Sequence, residues 1–491
     1  MAHLNSLPQI MASDLFDHAY KLGILHAKHR LMQMVLLRII GEGRICELLE
    51  DSDANLAIDI YMRQMNFAGN NTEDIVKLNP DTRKFIEEYC RGVNEEMSNS
   101  SRPFEFVLIN LKPDPWRAED ILLTVKMMSF IGLAQGQGDL ERFIMQSLRK
   151  SHKEETLKKF QDLFHPHLDT LSADILEKLK SLTYFEDFFS SLDLKEFSIP
   201  TLHASNNWAL STDKSQSGGG IFCYDPHLES TRLPAVWFEA GGYVGDKVFH
   251  GITMPGIPGL IMGRLGHLAH SFTYGFMDMM DFFIEEIKNE KQLLDSRFVD
   301  LHKRQVLIKR KKNPNYTFEV YHTEDATLET KVQSKLQDGH YLSRAWSGEK
   351  GAVKSVEALY AFFKAKNLKE LKDAACEVSI SCNWILSNDE GQLYFTQSGL
   401  CPKRSSTGLH PIMGNQSQKR WQGFYRGEEL SHFKQDSGFI ATSNQDVTLR
   451  EGAFSINVSM GDYRQRRICE VLEAKDKLNV EDMKKLQADV Y

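Results

Sequence analysis

Residues 204–211, Ala-Ser-Asn-Asn-Trp-Ala-Leu-Ser, and 221–228, Ile-Phe-Cys-Tyr-Asp-Pro-His-Leu, stand on either side of Gly218-Gly219-Gly220. The apolar residues here alternate with a period of two, which predicts a pair of strands joined by a hairpin turn at the glycines. No helix follows those glycines, so they are not a phosphate-binding loop. Ser205 and His227 fall one in each strand, and by themselves two such residues are not a mechanism. Downstream the same short alternation returns at 235–240, 247–254, 269–274, 282–287, 304–311, 316–322, 383–388 and 392–397. That is the pattern of a sheet core.

Upstream the period changes to that of a helix. Leu15, Phe16, Ala19, Leu22 and Leu25, then Leu31, Met34, Leu37 and Ile40, recur at helical spacing, with Ser13 as the predicted N-cap and Gly41 and Gly43 as the stop. Further helices are predicted over 81–97 and 118–131, and within the later part of the chain over 353–366 and 368–376. Between 150 and 196 lysine and glutamate interleave with phenylalanine and leucine. That composition suits outer amphipathic helices or a linking segment, with His165 and His167 in a solvated turn. Blocks of helix beside serial strands predict an α+β fold rather than alternating βαβ units.

The chain has 491 residues, 42% hydrophobic and 26% charged, enough apolar surface for a large core. Its 59 basic and 67 acidic residues leave a net charge of −8, which argues against a broad grip on nucleic acid or an anionic membrane. No run approaches the roughly 18 apolar residues of a membrane span. Seven scattered cysteines without a CxxC pair predict no disulfide framework. The opening MAHLNSLPQIMASD shows no export signal, so the expected compartment is the cytoplasm, or the periplasm if that terminus is incomplete. His267 and His270 lack a third ligand for zinc and read as strand histidines.

Three motifs then fall in a recognisable order: Ser205-Asn206-Asn207-Trp208, Asp225-Pro226-His227-Leu228 and Pro255-Gly256-Ile257-Pro258-Gly259. Together they resemble the penicillin acylase family of N-terminal nucleophile hydrolases. The similarity extends to 22–49 upstream and to 383–399, 437–445 and 461–474 downstream, and is weakest over 150–204 and 290–350. The resemblance implies a four-layer αββα sandwich with a mainly helical N-terminal subunit. It implies a helical α-subunit-like region over 1–164, a spacer over 165–204 and a β-subunit-like catalytic region over 205–491. Chains of that family continue past the closing KLQADVY, so a C-terminally truncated β-subunit is the expectation.

In this family the precursor cuts itself before the nucleophile, here between Ala204 and Ser205, and the freed α-amine of the serine serves as its base. The resemblance makes the main-chain N–H of Tyr274 and the side-chain amide of Asn444 the oxyanion donors. It places His227 beside the nucleophile and Arg464 where an arginine positions the asparagine; the alternative for Arg464 is a surface cation grouped with Arg466 and Arg467. Leu228 and Met262 stand at acyl-pocket positions and predict an apolar, non-aromatic pocket. The implied substrate is a small N-acyl amine, with acyl-homoserine lactones, β-lactams and other amides all open, and the implied assembly is a heterodimer of the two cleaved chains. No cofactor is expected for catalysis. A structural calcium is implied on Asp278 and Asp281, with a carbonyl from Met280 and a carboxylate from Asp139; the alternative is two acids at a loop edge, because 445–463 supplies no aspartate at the family's later position, only Glu451 nearby. The rival reading is an unprocessed, non-catalytic relative that binds acylated small molecules or a partner chain.

Overall fold

The structure, a computed structural model, describes residues 7–150, 172–185, 204–228, 235–430, 438–448, 456 and 460–490. Most of the expected spacer, with His165 and His167, lies outside the described residues, as does Glu451.

Helix α1 (Leu15–Gly41) begins at Asp14, whose carboxylate accepts the N–H groups of Phe16 and Asp17. The cap is therefore Asp14 and not Ser13, whose own N–H turns to the Asp17 carboxylate at 2.8 Å. Gly43, at φ +60°, follows the helix end as expected. Helix α2 (Pro80–Asn99) runs antiparallel to α1, and the two backbones nearly touch. A Cβ on Gly23 would lie 2.2 Å from the Tyr89 carbonyl oxygen, and one on Gly92 1.9 Å from that of Tyr20. Only glycine permits that approach. Helices α3 (Ala118–Ser129) and α4 (Gln135–Lys150) are separated by an irregular turn in which Gly132 has φ +71°, so the helix expected over 118–131 stops two residues early.

Ten strands and four helices position the site. In chain order they are β1 (Gln9–Ala12), β2 (Ala204–Leu210), β3 (Ile221–His227), β4 (Phe238–Val244), β5 (Lys247–Thr253), β6 (Met262–Leu265), β7 (Leu268–Tyr274), α5 (Ala352–Lys364), α6 (Leu368–Cys376), β8 (Cys382–Asn388), β9 (Leu393–Ser398), β10 (Phe439–Thr442), α7 (Tyr463–Glu473) and α8 (Val480–Gln487). Among the described residues a seven-stranded sheet runs β1-β4-β5-β6-β7-β8-β9, with only β1 parallel to its neighbour, and a three-stranded antiparallel sheet runs β10-β2-β3. A separate eight-stranded sheet is built around the strand Met280–Lys288. The strand expected at 235–240 lies three residues later, because the two-residue turn Gly245-Asp246, with Gly245 at φ +61°, fixes Val244 opposite Lys247. The β2–β3 connection spans residues 211–220, longer than a turn on Gly218-Gly219-Gly220 alone.

The layers follow from which residues bury together. Phe272, Trp384 and Leu386 of the large sheet pack on Phe362, Leu368 and Leu371 of α5 and α6. Ala209 and Ile440 of the small sheet pack on Ile385 and Leu393 of the large one. Trp208, Leu210 and Phe439 turn the other way, onto Ile468, Leu472 and Met483 of α7 and α8. Helix, sheet, sheet and helix are thus stacked, each strand contributing alternate residues to its two faces. The fold is α+β, and β2 is the central strand of the inner small sheet.

The Pro-Gly-Ile-Pro-Gly motif ties the helical half to the large sheet. Gly256, at φ +103°, donates its N–H to the Tyr89 hydroxyl (2.9 Å), which lies 2.7 Å from Nδ1 of His26; Nε2 of His26 lies 2.9 Å from Thr253 Oγ1, which donates to the Phe238 carbonyl. With those directions set, His26 fits only as the neutral Nε2–H tautomer. Burial pushes its pKa down to about 3. An unfolded histidine binds its proton near pH 6.5 and the folded one does not, so this residue destabilises the fold as pH falls from about 6.5 toward 3, by about 1.4 kcal/mol per pH unit at most. His26→Gln should therefore flatten the pH dependence of the urea midpoint between pH 6.5 and 5. A slope equal to the wild type's would contradict the buried neutral state. The seven cysteines are all free and five are buried.

Candidate functional site

Ser205 is 4% exposed and sits at the second residue of β2, opposite Pro226 of β3. The ladder with β10 ends at Asn207 and Thr442. Two residues further along, side chains replace the next main-chain partners. The Ser205 N–H donates to Asn444 Oδ1 at 2.8 Å, and the Ser205 carbonyl accepts Nη1 of Arg464 at 2.8 Å. Both main-chain groups of the serine face residues 444 and 464, so the missing N–H of Pro226 on the opposite edge leaves nothing unpaired.

Asn444 is fully buried and holds φ +69°, a left-handed conformation that asparagine tolerates better than most residues. That turn ends the strand and folds the side chain back over β2. Its Oδ1 takes both the Ser205 N–H and Nη2 of Arg464 (3.0 Å), which are donors only, so Nδ2 must face the other way. There it donates to the carbonyl of Tyr274 at 2.7 Å and, more weakly, to Ser205 Oγ at 3.4 Å. Arg464, from the first turn of α7, also reaches the Asn206 Oδ1 and the Ser443 carbonyl, each at 2.8 Å. It is anchored inside the site and is not part of a surface cluster.

Tyr274 closes β7. The next residue, Gly275, donates to the Ser381 carbonyl (3.0 Å), so alternation along the β7–β8 ladder turns the main-chain groups of Tyr274 to the opposite edge, toward Asn444. Ser205, Asn444, Arg464 and Tyr274 therefore form one connected centre. His227 meets this centre at Asn206 and not at the serine. Its exposed ring lies 3.0 Å from Asp225 Oδ2 and 3.3 Å from Asn206 Nδ2, because a residue opposite Ala204 shares the sheet face of Asn206 and Asp225, and Ser205 points to the other face. Among the described residues no histidine, lysine or carboxylate hydrogen-bonds Ser205 Oγ. Leu228 and Met262 fall in a single apolar cluster with Tyr274, alongside Trp237, Ile252 and Ile261.

The expected cation ligands divide. Asp278 and Asp281 are buried together, but their third acid is Glu141 and not Asp139. The two-residue offset turns roughly 200° around α4, and the buried face of that helix is Gln137, Gly138, Glu141, Arg142 and Met145. Asp139 lies instead under the charges of Arg142 and Arg344, with its pKa pushed up to about 6 by burial. Met280 contributes its N–H, at 3.2 Å from Asp278 Oδ1. Arg404 sits against both aspartates, with Nη1 2.9 Å from Asp278 Oδ2 and Nε 3.0 Å from Asp281 Oδ2. Burial raises the carboxyl pKa values of all three acids, and the charges of Asp278 and Asp281 raise Glu141 further.

Reasoning from the sequence missed Asn206, Glu141 and Arg404. Asn206 belongs to the Ser-Asn-Asn-Trp motif, Glu141 lies on α4, where no helix was expected, and Arg404 has no local signal. His270 is a buried strand residue as read, bonded to the Leu260 carbonyl, whereas His267 is exposed in the Gly266-His267 turn between β6 and β7, its Nε2 3.0 Å from the Lys366 carbonyl.

The fold and this site define an α+β protein whose polar centre is assembled around a buried serine on an inner strand. The sequence profile of the penicillin amidase family matches residues 5–491, and the chain belongs to that family. It is 25% identical over 457 residues to an acyl-homoserine lactone acylase QuiP of Pseudomonas fluorescens (strain Pf0-1), covering 90% of this chain and 55% of that protein. To penicillin acylase 2 proenzyme of Pseudomonas sp. (strain SE83) it is 24% identical over 496 residues, covering 98% and 63%. A thermostable penicillin G acylase from Alcaligenes faecalis aligns in structure with a TM-score of 0.49 and 17% identity, over 57% of this chain and 51% of that one. The chain spans less than two thirds of the length of these curated relatives.

Proposed function

We propose that the chain is an amidohydrolase of the N-terminal nucleophile type, in which Ser205 becomes a chain terminus and then works as both nucleophile and base. The observation that carries this is the absence, among the described residues, of any side-chain base on Ser205 Oγ, while the serine's own nitrogen is held 2.8 Å from Asn444 Oδ1. A hydroxyl with no base is a weak nucleophile; a free amine on the same residue supplies one. The names of the relatives, acylases of acyl-homoserine lactones and penicillins, support the reaction class.

Maturation begins when Ser205 Oγ attacks the Ala204 carbonyl carbon. The C–N bond breaks as the ester forms, the nitrogen gains the hydroxyl proton, and water then cleaves the ester to leave an Ala204 carboxylate and a free Ser205. In the mature site the α-amine takes the hydroxyl proton as Oγ attacks the substrate amide carbon. The leaving amine collects that proton, and water hydrolyses the acyl ester to a free acid. Asn444 Nδ2 and the Tyr274 N–H would stabilise the oxyanion, and Arg464 would hold Asn444 in place. The residues around Leu228 and Met262 suit an apolar acyl group on a small N-acyl amine.

On this reading residues 1–164 form the helical subunit, 165–204 the spacer and 205–491 the catalytic subunit of a heterodimer with the N-terminal nucleophile αββα fold. N-terminal sequencing of the fragments of purified protein should give one chain starting Ser-Asn-Asn-Trp. A panel of N-acyl amines should then yield free acid. Acid release by a chain still joined at Ala204–Ser205 would refute the mechanism, and an intact chain that only binds acylated compounds would favour the non-catalytic rival.

A further inference from the structure

Arg404 occupies the place where a cation would join the acids at the start of the strand Met280–Lys288. Besides its bonds to both aspartate side chains, its Nη2 donates to the Asp278 carbonyl at 3.1 Å. Trp421 Nε1 also donates to Asp281 Oδ2, and the Met280 N–H takes Asp278 Oδ1. Among the described residues Asp281 Oδ1 has no hydrogen bond; it faces Gly408, whose added Cβ would lie 2.9 Å from it and 2.7 Å from Asp278 Oδ2. Calcium takes six to eight oxygens at about 2.3–2.6 Å. Here three of the four aspartate oxygens already face N–H donors, and the Gly408 backbone closes over the group. An ion seated between the carboxylates would also meet a guanidinium held against the same oxygens. The residues present do not fit a resident calcium.

We propose that Arg404 is a built-in counter-ion that replaces a structural calcium in this chain, joining Asp278 and Asp281 and holding the segment that follows Tyr274. A planar fork can bridge two carboxylates and a carbonyl as a metal would, with orientation fixed by its donors. Being covalently attached, it is present at any calcium concentration.

The test uses the full chain and calcium alone. Wild-type protein should show no stoichiometric calcium in equilibrium dialysis, and its Tm should move by less than about 1 °C on addition of EDTA or millimolar CaCl2. Arg404→Met leaves buried carboxylates without their partner, so its Tm should fall by roughly 5 °C or more and recover in part with CaCl2. A wild-type chain that retains calcium, or melts earlier with chelator, overturns the proposal; this arm decides even where the variant fails to fold. An Arg404→Met protein as stable as the wild type, or destabilised yet indifferent to calcium, overturns it equally.

Discussion

Ser205→Ala should leave one polypeptide near the full 56.3 kDa, where the proposed mechanism would divide the wild-type protein between Ala204 and Ser205, and should abolish any release of acid from N-acyl amines. The proposed mechanism gives Ser205 Oγ two duties, attack on the Ala204 carbonyl and later on the substrate, and alanine removes both with one atom. The substitution is mild in structural terms. Among the described residues Ser205 Oγ makes a single long hydrogen bond, 3.4 Å from Asn444, while the bonds that seat the residue come from its main chain. Losing one weak hydrogen bond costs about 1 kcal/mol or less, so Tm should stay within a few degrees of wild type. Mass spectrometry of the expressed chain and a melting curve separate lost chemistry from lost folding. Continued cleavage at Ala204–Ser205 in the folded variant would remove the serine from the mechanism.

What could be read from the sequence was whatever local periodicity encodes. Residues 269–274 and 383–388 alternate because β7 and β8 pair side by side and send Phe272, Tyr274, Trp384 and Leu386 to the helical layer, while Ser271 and Thr273 turn their hydroxyls to Asn207 and Thr442 of the small sheet. The helices expected at 353–366 and 368–376 stand at Ala352–Lys364 and Leu368–Cys376, since the first leaves helical geometry at Ala365 and Asn367 caps the second. Contacts between distant segments were not legible. Arg404 lies 126 residues from Asp278, and Arg464 lies 258 from Asn206; no pattern in either local stretch names its partner. Asp139 was implied by resemblance, and the helix phase turns Glu141, two residues on, toward Asp278 and Asp281 instead. His227 was placed by resemblance, and the strand register turns it to Asp225. The residues found only by resemblance, Asn444 and Arg464, share a physical reason for being invisible otherwise: each acts where a regular ladder stops, and irregular backbone carries no period.

Asn444→Asp should lower kcat by roughly 10²–10³-fold while leaving the fold intact, which makes it the sharpest test of how the centre is wired. Aspartate is nearly isosteric, tolerates the left-handed backbone at φ +69°, and can still accept from the Ser205 N–H and from Arg464. Only Nδ2 is lost. In its place a carboxylate oxygen faces the Tyr274 carbonyl, 2.7 Å from where the amide nitrogen stood, and lies beside the Ser205 hydroxyl. The proposed reaction builds negative charge at this point, so the variant both withdraws a donor and adds a like charge. The adjacent guanidinium of Arg464 offsets the new charge in the resting protein, and for that reason Tm should change far less than turnover. Rates would be measured as acid release per mole of matured chain, so that slower self-cleavage is not counted as slower hydrolysis. A matured variant that turns over at the wild-type rate would show that Asn444 only seats the serine, and the oxyanion would then need its donors elsewhere.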